Sequence, residues 1–204
     1  MRKKIQVINT SEENLLYPVF LKLDKFETLI VGGGSACLEK LTFLLKSSPN
    51  ANVSVVSPAL NFEIEKLVMD FPRVKLILKK FSPDDLRSKQ LVIIATDDAE
   101  LNSSIHSECK KRGILSNVCD TPELCDFYLG SVVTKGNLKI AISTNGKSPS
   151  FAKKFRIVLE DFLPQELPSL LTNLEKIRKN LKGNFAEKVK YLNHLTNQLV
   201  NSGN

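Results

Sequence analysis

Phe26-Glu27-Thr28-Leu29-Ile30-Val31-Gly32-Gly33-Gly34-Ser35-Ala36-Cys37 is the stretch on which the fold turns. Its first six residues are β-rich and end at three glycines. An amphipathic helix follows, with Cys37, Leu38, Leu41, Leu44 and Leu45 on one face. A buried strand running through a glycine turn into a helix is the opening of a βαβ unit. Glycines there allow a tight turn and let the backbone approach a pyrophosphate, and the helix N-terminus offers free N–H groups and a positive dipole end. The G-x-G-x-x-G pattern is met at Gly32 and Gly34, and Cys37 holds the third small position. A tight turn with no ligand is the plainer reading, and the strand-to-helix context weighs against it.

Outward from this loop the alternation continues. Pro49-Asn50 stops the helix, and Val53–Val56 reads as a second buried strand. Leu60, Ile64, Leu67 and Val68 recur at helical spacing, and Val74–Leu78 is a third strand. Ser82-Pro83 looks like a helix start, with Asp84 and Asp85 suited to its first turn. Leu91–Ala95 is the clearest buried strand. Leu101, Ile105 and Cys109 mark a helix closed by Gly113, and Ile114–Val118 is the fifth strand. Strands alternating with helices, joined by right-handed crossovers, predict an α/β fold with a doubly wound parallel sheet of the Rossmann type.

After Asp120 the pattern changes. Phe127–Thr134 and Leu138–Thr144 are strand-like runs joined across Lys135-Gly136-Asn137, an antiparallel hairpin signal. Ser148-Pro149 opens a helix, Ser as cap and Pro at the first position. Leu167, Leu170, Leu171, Leu174, Ile177 and Leu181 line a further helix. Phe185, Val189, Leu192, Leu195 and Leu199 line another. The expected division is a Rossmann domain over 1–118, a hairpin region over 119–148 and a helical C-terminal domain over 149–204. A lone hairpin is marginal in water, and its open edges invite a second copy. A homodimer through this region is the expectation.

Composition narrows the function classes. No run of 18 apolar residues occurs, so no membrane-spanning helix is expected. The residues after Met1 are basic without a following apolar stretch, unlike a secretory signal. Four cysteines without a C-x-x-C pair point to free thiols in a reducing cytosol, hence a cytoplasmic protein. Two distant histidines, His106 and His194, argue against a His-rich metal site. The net charge is +7, and residues 1–132 balance to zero; residues 133–190 hold 12 Lys/Arg against 5 Asp/Glu. That excess suits an anionic partner, or else simply solvated helix faces. With no Trp and no basic run interleaved with aromatics, nucleic acid is disfavoured.

Four more segments carry chemistry. Val56-Ser57-Pro58 ends the second strand with Ser57 where a dinucleotide site usually has an acid for the ribose, and no Arg follows for a 2′-phosphate. NAD and NADP stay open on that motif. Ala95-Thr96-Asp97-Asp98 ends the fourth strand, which puts Thr96 near a cofactor; Asp97 and Asp98 suit the start of the next helix, the favoured reading for Asp98. Asn117-Val118-Cys119-Asp120 ends the fifth strand and opens on the same crevice. A carboxylate there can serve as general base while hydride leaves for a nicotinamide, although an Asp before Thr121-Pro122 is more often a turn residue. Ser143-Thr144-Asn145-Gly146-Lys147-Ser148-Pro149 joins hydroxyls, a lysine and a helix N-terminus, an anion-binding constellation or an ordinary capped loop.

In this order and spacing, these segments resemble the precorrin-2 dehydrogenase family, which includes the bifunctional dehydrogenase/sirohydrochlorin ferrochelatases and the N-terminal half of siroheme synthase. Tyr17-Pro18-Val19-Phe20-Leu21, Gly32–Ala36, Ala95–Asp98 with Asn102, Asn117–Asp120, Cys125-Asp126-Phe127 and Ser143–Pro149 carry the resemblance, over roughly residues 14 to 160. It implies NAD as hydride acceptor, precorrin-2 as substrate, sirohydrochlorin as product and Asp120 as general base. It also implies Fe2+ or Co2+ insertion by the same residue in bifunctional members. Ser35, Ala36, Pro58 and Ala59 match cofactor-contacting positions, beside Gly32, Gly33, Gly34, Ser57, Thr96, Asp97 and Asn117. An octacarboxylate substrate suits the basic excess, with Thr144, Lys147, Ser148, Lys153 and Arg156 as candidate contacts. No added metal-ligand cluster is evident. Two other classes stand beside this one: a nucleotide-sensing regulatory module without catalysis, disfavoured by Ser57, and a methyltransferase cradling S-adenosylmethionine. Binding of NAD against S-adenosylmethionine separates the latter.

Overall fold

A computed structural model describes residues 14–181, 186–191 and 193. Contacts divide the chain into two compact units. One runs up to Gly130 and takes in Ser143–Ser148; the other joins Ser131–Ile142 to the chain from Pro149.

The first unit is built on a parallel sheet. Its elements in order are β1 (Glu27–Val31), α1 (Ser35–Ser47), β2 (Asn52–Ser57), α2 (Phe62–Val68), β3 (Val74–Leu78), β4 (Leu91–Ile94), α3 (Ala99–Lys111) and β5 (Leu115–Val118). The strands lie in the order β3-β2-β1-β4-β5, all parallel, which is the expected doubly wound α/β arrangement. Residues alternate between the two faces with period two. Ile30, Val55 and Ile93 pack with Cys37, Leu41 and Leu45 of α1 and Ile64 of α2. Leu29, Val31, Val92 and Ile94 pack with Ile105 and Cys109 of α3. These side chains are almost wholly buried. Each of the aliphatic ones contributes about 1.5–3 kcal/mol on leaving water, an upper estimate. The sheet is therefore a rigid platform whose strand ends fix the loops beyond them.

The link from β3 to β4 departs from the α-helix expected at Ser82-Pro83. Pro83–Leu86 forms one 3-10 turn. Asp85 accepts from Ser82 N at 2.8 Å, Leu86 is buried, and Ser88 reverses the chain at φ 61°. A turn that closes on itself and must reach Leu91 has no room to propagate.

The second unit holds β6 (Ser131–Lys135) and β7 (Leu138–Ile142), then α4 (Pro149–Phe162) and α5 (Leu167–Asn180). The strands pair antiparallel, with Lys135 opposite Leu138. Gly136 at φ 57° supplies the positive φ that a two-residue hairpin loop needs at its first position. A Cβ there would lie 2.7 Å from Pro168 Cβ, so the start of α5 sits close on the turn. Both strands are shorter than the sequence pattern suggests. Phe127 packs on the core of the first unit, with its carbonyl held by Asn117, so pairing begins only at Ser131. At the far end Asn145 and Gly146 turn with positive φ after Ile142. Residues 186–191 are helical, Val189 among them; Phe185, Leu192, Leu195 and Leu199 of the expected last helix lie outside the described residues.

Among the described residues no helix is long and apolar enough to cross a membrane. All four cysteines are free thiols.

Candidate functional site

The carboxyl ends of β1, β2 and β4 open on a cleft of about 540 Å³ in the first unit. Gly32, Gly33 and Gly34 form one wall, Ser57, Pro58 and Ala59 a second, and Thr96 and Asp97 a third. Eight of the eleven expected cofactor residues thus come together. Ser35 and Ala36 follow directly as the first turn of α1. Asn117 does not line the cleft. It is buried, and its amide donates to Phe127 O at 2.8 Å and Cys125 Sγ at 3.3 Å, bracing the segment beyond β5. Leu60, Asn61, Phe81 and Leu101 also line the cleft; the sequence marks Leu60 and Leu101 only as apolar helix positions and gives Asn61 and Phe81 no part in the site. Asn61 had a legible signal, a polar residue just ahead of a helical pattern, and it caps α2 by accepting from Glu63 N. Phe81 sits in an irregular link and gave none.

The glycine turn is built for close backbone approach. Gly32 has φ 126°, and a Cβ there would meet Ala95 O at 2.0 Å. A Cβ on Gly33 would meet Ala59 O at 2.0 Å and Ser57 Oγ at 2.6 Å. At Gly34 nothing lies within 4 Å of a built Cβ. The first two glycines pack β1 against its neighbours; the third leaves an open cradle at the head of α1. No side chain caps that helix, and its first backbone bond runs from Leu38 N to Gly34 O at 3.1 Å. The N–H groups ahead of Leu38 are therefore without helical partners, beside a cavity, at the positive end of a 13-residue helix. That donor set fits a dinucleotide pyrophosphate.

Ser57 plays a part that the motif did not reveal. Its hydroxyl donates to Ala59 O at 2.7 Å, and its carbonyl accepts from Lys79 N. Asn61 N donates to Gly33 O at 2.8 Å, tying this loop to the glycine turn. Ser57 thus shapes the wall of the cleft instead of reading a ribose with a carboxylate. Thr96 is held too: its hydroxyl donates to Asn102 Oδ1 at 2.5 Å, while Asn102 Nδ2 donates to Thr96 O at 2.9 Å. Asp98 caps α3 by accepting from Leu101 N at 2.9 Å. Asp97 is exposed in the cleft wall.

Asp120 stands two residues beyond β5, exposed, with a left-handed backbone at φ 59°. It is not part of the cleft lining. The registers Val31↔Ile94 and Ile94↔Val118 put it at the same sheet edge as Gly32, two strands across, roughly 10 Å at the usual strand spacing. The loop that carries it is braced. Cys125 Sγ donates to Val118 O and Thr121 O, and Thr121 N donates to Val118 O. Asp126 accepts from Ser116 N at 2.9 Å and pairs with Lys110. Burial pushes the Asp126 carboxyl up, but the bonds from Lys110 and Ser116 outweigh it and hold the group below the usual range.

The expected substrate contacts divide between the units. Thr144, Lys147 and Ser148 belong to the first; Lys153 and Arg156 stand on α4 in the second. Thr144 Oγ1 accepts from Ser148 N at 3.1 Å, and Lys147 is exposed. Lys153 is exposed, while the Arg156 guanidinium is engaged by Glu160 at 2.5 Å.

A parallel sheet in this strand order, with a glycine turn feeding an uncapped helix N-terminus beside a cleft, defines a dinucleotide-binding Rossmann domain. The chain belongs to the family whose model is described as "Putative NAD(P)-binding", which matches residues 19–131. A second model, "Sirohaem biosynthesis protein central", matches residues 135–161. Among curated proteins, siroheme synthase of Nitrosomonas europaea is 33% identical over 82% of this chain and 35% of its own length. That of Psychrobacter cryohalolentis is 36% identical over 81% and 31%. The chain thus spans about a third of the length of these relatives. A solved structure titled "SirC, precorrin-2 dehydrogenase" shares the fold with TM-score 0.69 at 23% identity, covering 88% of this chain and 89% of that one.

Proposed function

We propose that this protein oxidises precorrin-2 to sirohydrochlorin with NAD as acceptor. The observation that carries the reading is the pairing of an open glycine cradle at the head of α1 with an exposed carboxylate, Asp120, at the same sheet edge. When bound, the nicotinamide supplies a two-electron acceptor for hydride. The chain supplies the rest. The N-terminal N–H groups of α1 hold the pyrophosphate, Thr96 and Asp97 border the nicotinamide half, and Asp120 takes the proton released as the ring system is oxidised. A left-handed backbone at a non-glycine residue is a cost that functional sites often retain, and it fixes the direction in which the Asp120 side chain leaves the strand.

The eight carboxylates of precorrin-2 are drawn by the basic excess of residues 133–190, with Thr144, Lys147, Ser148, Lys153 and Arg156 as contacts. Arg156 has to leave Glu160 to join them. The protein works as a homodimer through the hairpin region of residues 119–148 and the open edges of β6 and β7, with residues 1–118 binding the cofactor and 149–204 forming the helical part. Insertion of Fe2+ or Co2+ into the product would depend on Asp120. Among the described residues no group of three or more His, Cys, Asp and Glu is placed to hold a metal.

Purified protein, precorrin-2 and NAD, followed at the absorbance of reduced nicotinamide and of sirohydrochlorin, test the proposal. One equivalent of each product per turnover is expected. Tight NAD binding without any oxidation would leave only the nucleotide-sensing alternative. Adding ferrous or cobaltous ion at the end point reports chelation, which must exceed the spontaneous rate to count.

A further inference from the structure

The helix face that meets the end of β5, where Asp120 stands, carries a cation that neither the glycine motif nor the basic C-terminal stretch anticipates. Lys40 sits on α1 one turn after Cys37, so the two share a helix face. Cys37 belongs to the buried cluster on which Cys119 packs, and Asp120 directly follows Cys119. That face of α1 therefore meets the end of β5. The electrostatics agree, since the Lys40 ammonium feels both Cys119 and Asp120. Its side chain is 24% exposed, so it is partly covered without being sealed off from solvent. It pairs with Glu39, at 2.9 Å, whose side chain is 56% exposed. Neighbours on one helix turn of this kind make a weak, exchangeable ion pair.

We propose that Lys40 is a binding residue for a carboxylate of the tetrapyrrole substrate, anchoring it next to Asp120. The inference rests on the dehydrogenase reading and adds to it a contact from α1, the helix that opens at the glycine turn. A base and a cation at one sheet edge divide the work: Asp120 takes the proton, and Lys40 binds an acidic side arm that stays charged throughout. Lys40 remains an ammonium at neutral pH. Burial pulls its pKa down, but the hydrogen bond and charge of Glu39, with the nearby Cys119 and Asp120, raise it above the ordinary lysine value. Glu39 occupies the ammonium until a second carboxylate arrives, so exchange costs little. A substrate carrying many carboxylates gains from one fixed cation close to the reacting carbon, because that cation sets orientation as well as affinity.

The test uses the full chain as wild type, Lys40→Met and Lys40→Arg, with melting curves to confirm folding. Sirohydrochlorin binding is titrated by absorbance, NAD binding by calorimetry, and precorrin-2 turnover gives KM and kcat. In Lys40→Met the sirohydrochlorin Kd and the precorrin-2 KM are expected to rise about tenfold, equal to about 1.4 kcal/mol. NAD affinity stays unchanged, and Lys40→Arg recovers most of the loss. An unchanged Kd and KM in Lys40→Met overturn the proposal. So does a fall in kcat with a displaced pH profile at constant KM, which would make Lys40 a positioning residue for Asp120. Wild-type protein that binds NAD yet neither binds sirohydrochlorin nor oxidises precorrin-2 overturns the dehydrogenase reading, and this inference with it, whatever the variants do.

Discussion

Replacing Gly32, Gly33 and Gly34 by alanine one at a time separates what the turn does for the fold from what it does for the ligand. A methyl on Gly32 enters at 2.0 Å from Ala95 O and at φ 126°. Ordinary carbon–oxygen contact is more than 3 Å, so the backbone of β1 or β4 must give by over an ångström. Overpacking of this kind costs about 1–3 kcal/mol, and an alanine held at that φ adds roughly 1–3 more. A loss near 4 kcal/mol is a large share of the stability of an ordinary domain. Gly33 meets an equally close oxygen, Ala59 O, but at a permitted φ, and its other near neighbours belong to the Ser57 side chain. About 2 kcal/mol is expected there. The methyl of Gly34→Ala touches nothing, and exchange at this N-cap position costs about 1 kcal/mol or less. It does fill the cradle where the pyrophosphate must approach. Urea unfolding and NAD calorimetry on the three variants should therefore rank stability as Gly34→Ala, then Gly33→Ala, then Gly32→Ala, with Gly34→Ala losing NAD affinity at least tenfold despite its stable fold. Full NAD affinity in Gly34→Ala, or destabilisation equal to that of Gly32→Ala, would refute the assignment of the cradle.

Asp120→Asn should keep NAD affinity and melting temperature, because Asn tolerates the left-handed backbone that Ala does not, while dehydrogenase turnover falls by about 10²–10⁴; steady-state kinetics beside calorimetry check both halves. Asp126 has its folded pKa held below the unfolded value, so its contribution is present above pH ~4 and is lost as pH falls through the folded pKa. Asp126→Asn should then be less stable than wild type at pH 7, with the gap in urea midpoint closing below pH ~4. Burial, with a smaller push from Cys119, raises the Cys37 thiol to about 12, and burial raises Cys109, with nearby Asp126, to about 11. Both are fully buried, so mass spectrometry after iodoacetamide at pH 8 should find them unmodified in native protein and alkylated in urea.

The parallel sheet was legible in the sequence because its signals are local. Each buried strand is a short apolar run, and the turn at Gly32–Gly34 has to be glycine for steric reasons that act within a few residues. The hairpin was legible in outline through Gly136, but its ends were not. Phe127 continues the β-rich pattern, yet its carbonyl is taken by Asn117 and its ring by the core, contacts ten residues away or more. Ser82-Pro83 carries a valid helix start, but the distance to β4 leaves one turn. Asn117 looked like a cofactor residue from its place at a strand end; its buried amide is committed to the segment that carries Cys125 and Phe127. Lys40 went unnoticed because its neighbourhood with Asp120 exists only once α1 lies over the sheet.

Ser57 shows why the cofactor class could not be settled from the motif. The sequence rule looks for an acid at the end of the second strand because a carboxylate there binds the ribose hydroxyls and repels a 2′-phosphate. Here the residue is 7% exposed and its hydroxyl is turned to Ala59 O, so it has become part of the wall. The two strands pair at Ser57 and Leu78, and Lys79 N bonds to Ser57 O. The Lys79 ammonium is engaged by Asp85 at 2.6 Å. The lining at this end of the cleft is the Ser57–Asn61 loop and Phe81, without a charged side chain. Because Ser57 braces that loop and Gly33 packs against it, the loop after β2 and the glycine turn are one mechanical unit. A change at either should therefore move the other, so that a substitution in the Ser57–Asn61 loop also alters how the glycine turn meets a dinucleotide, which a rule written residue by residue has no means to express.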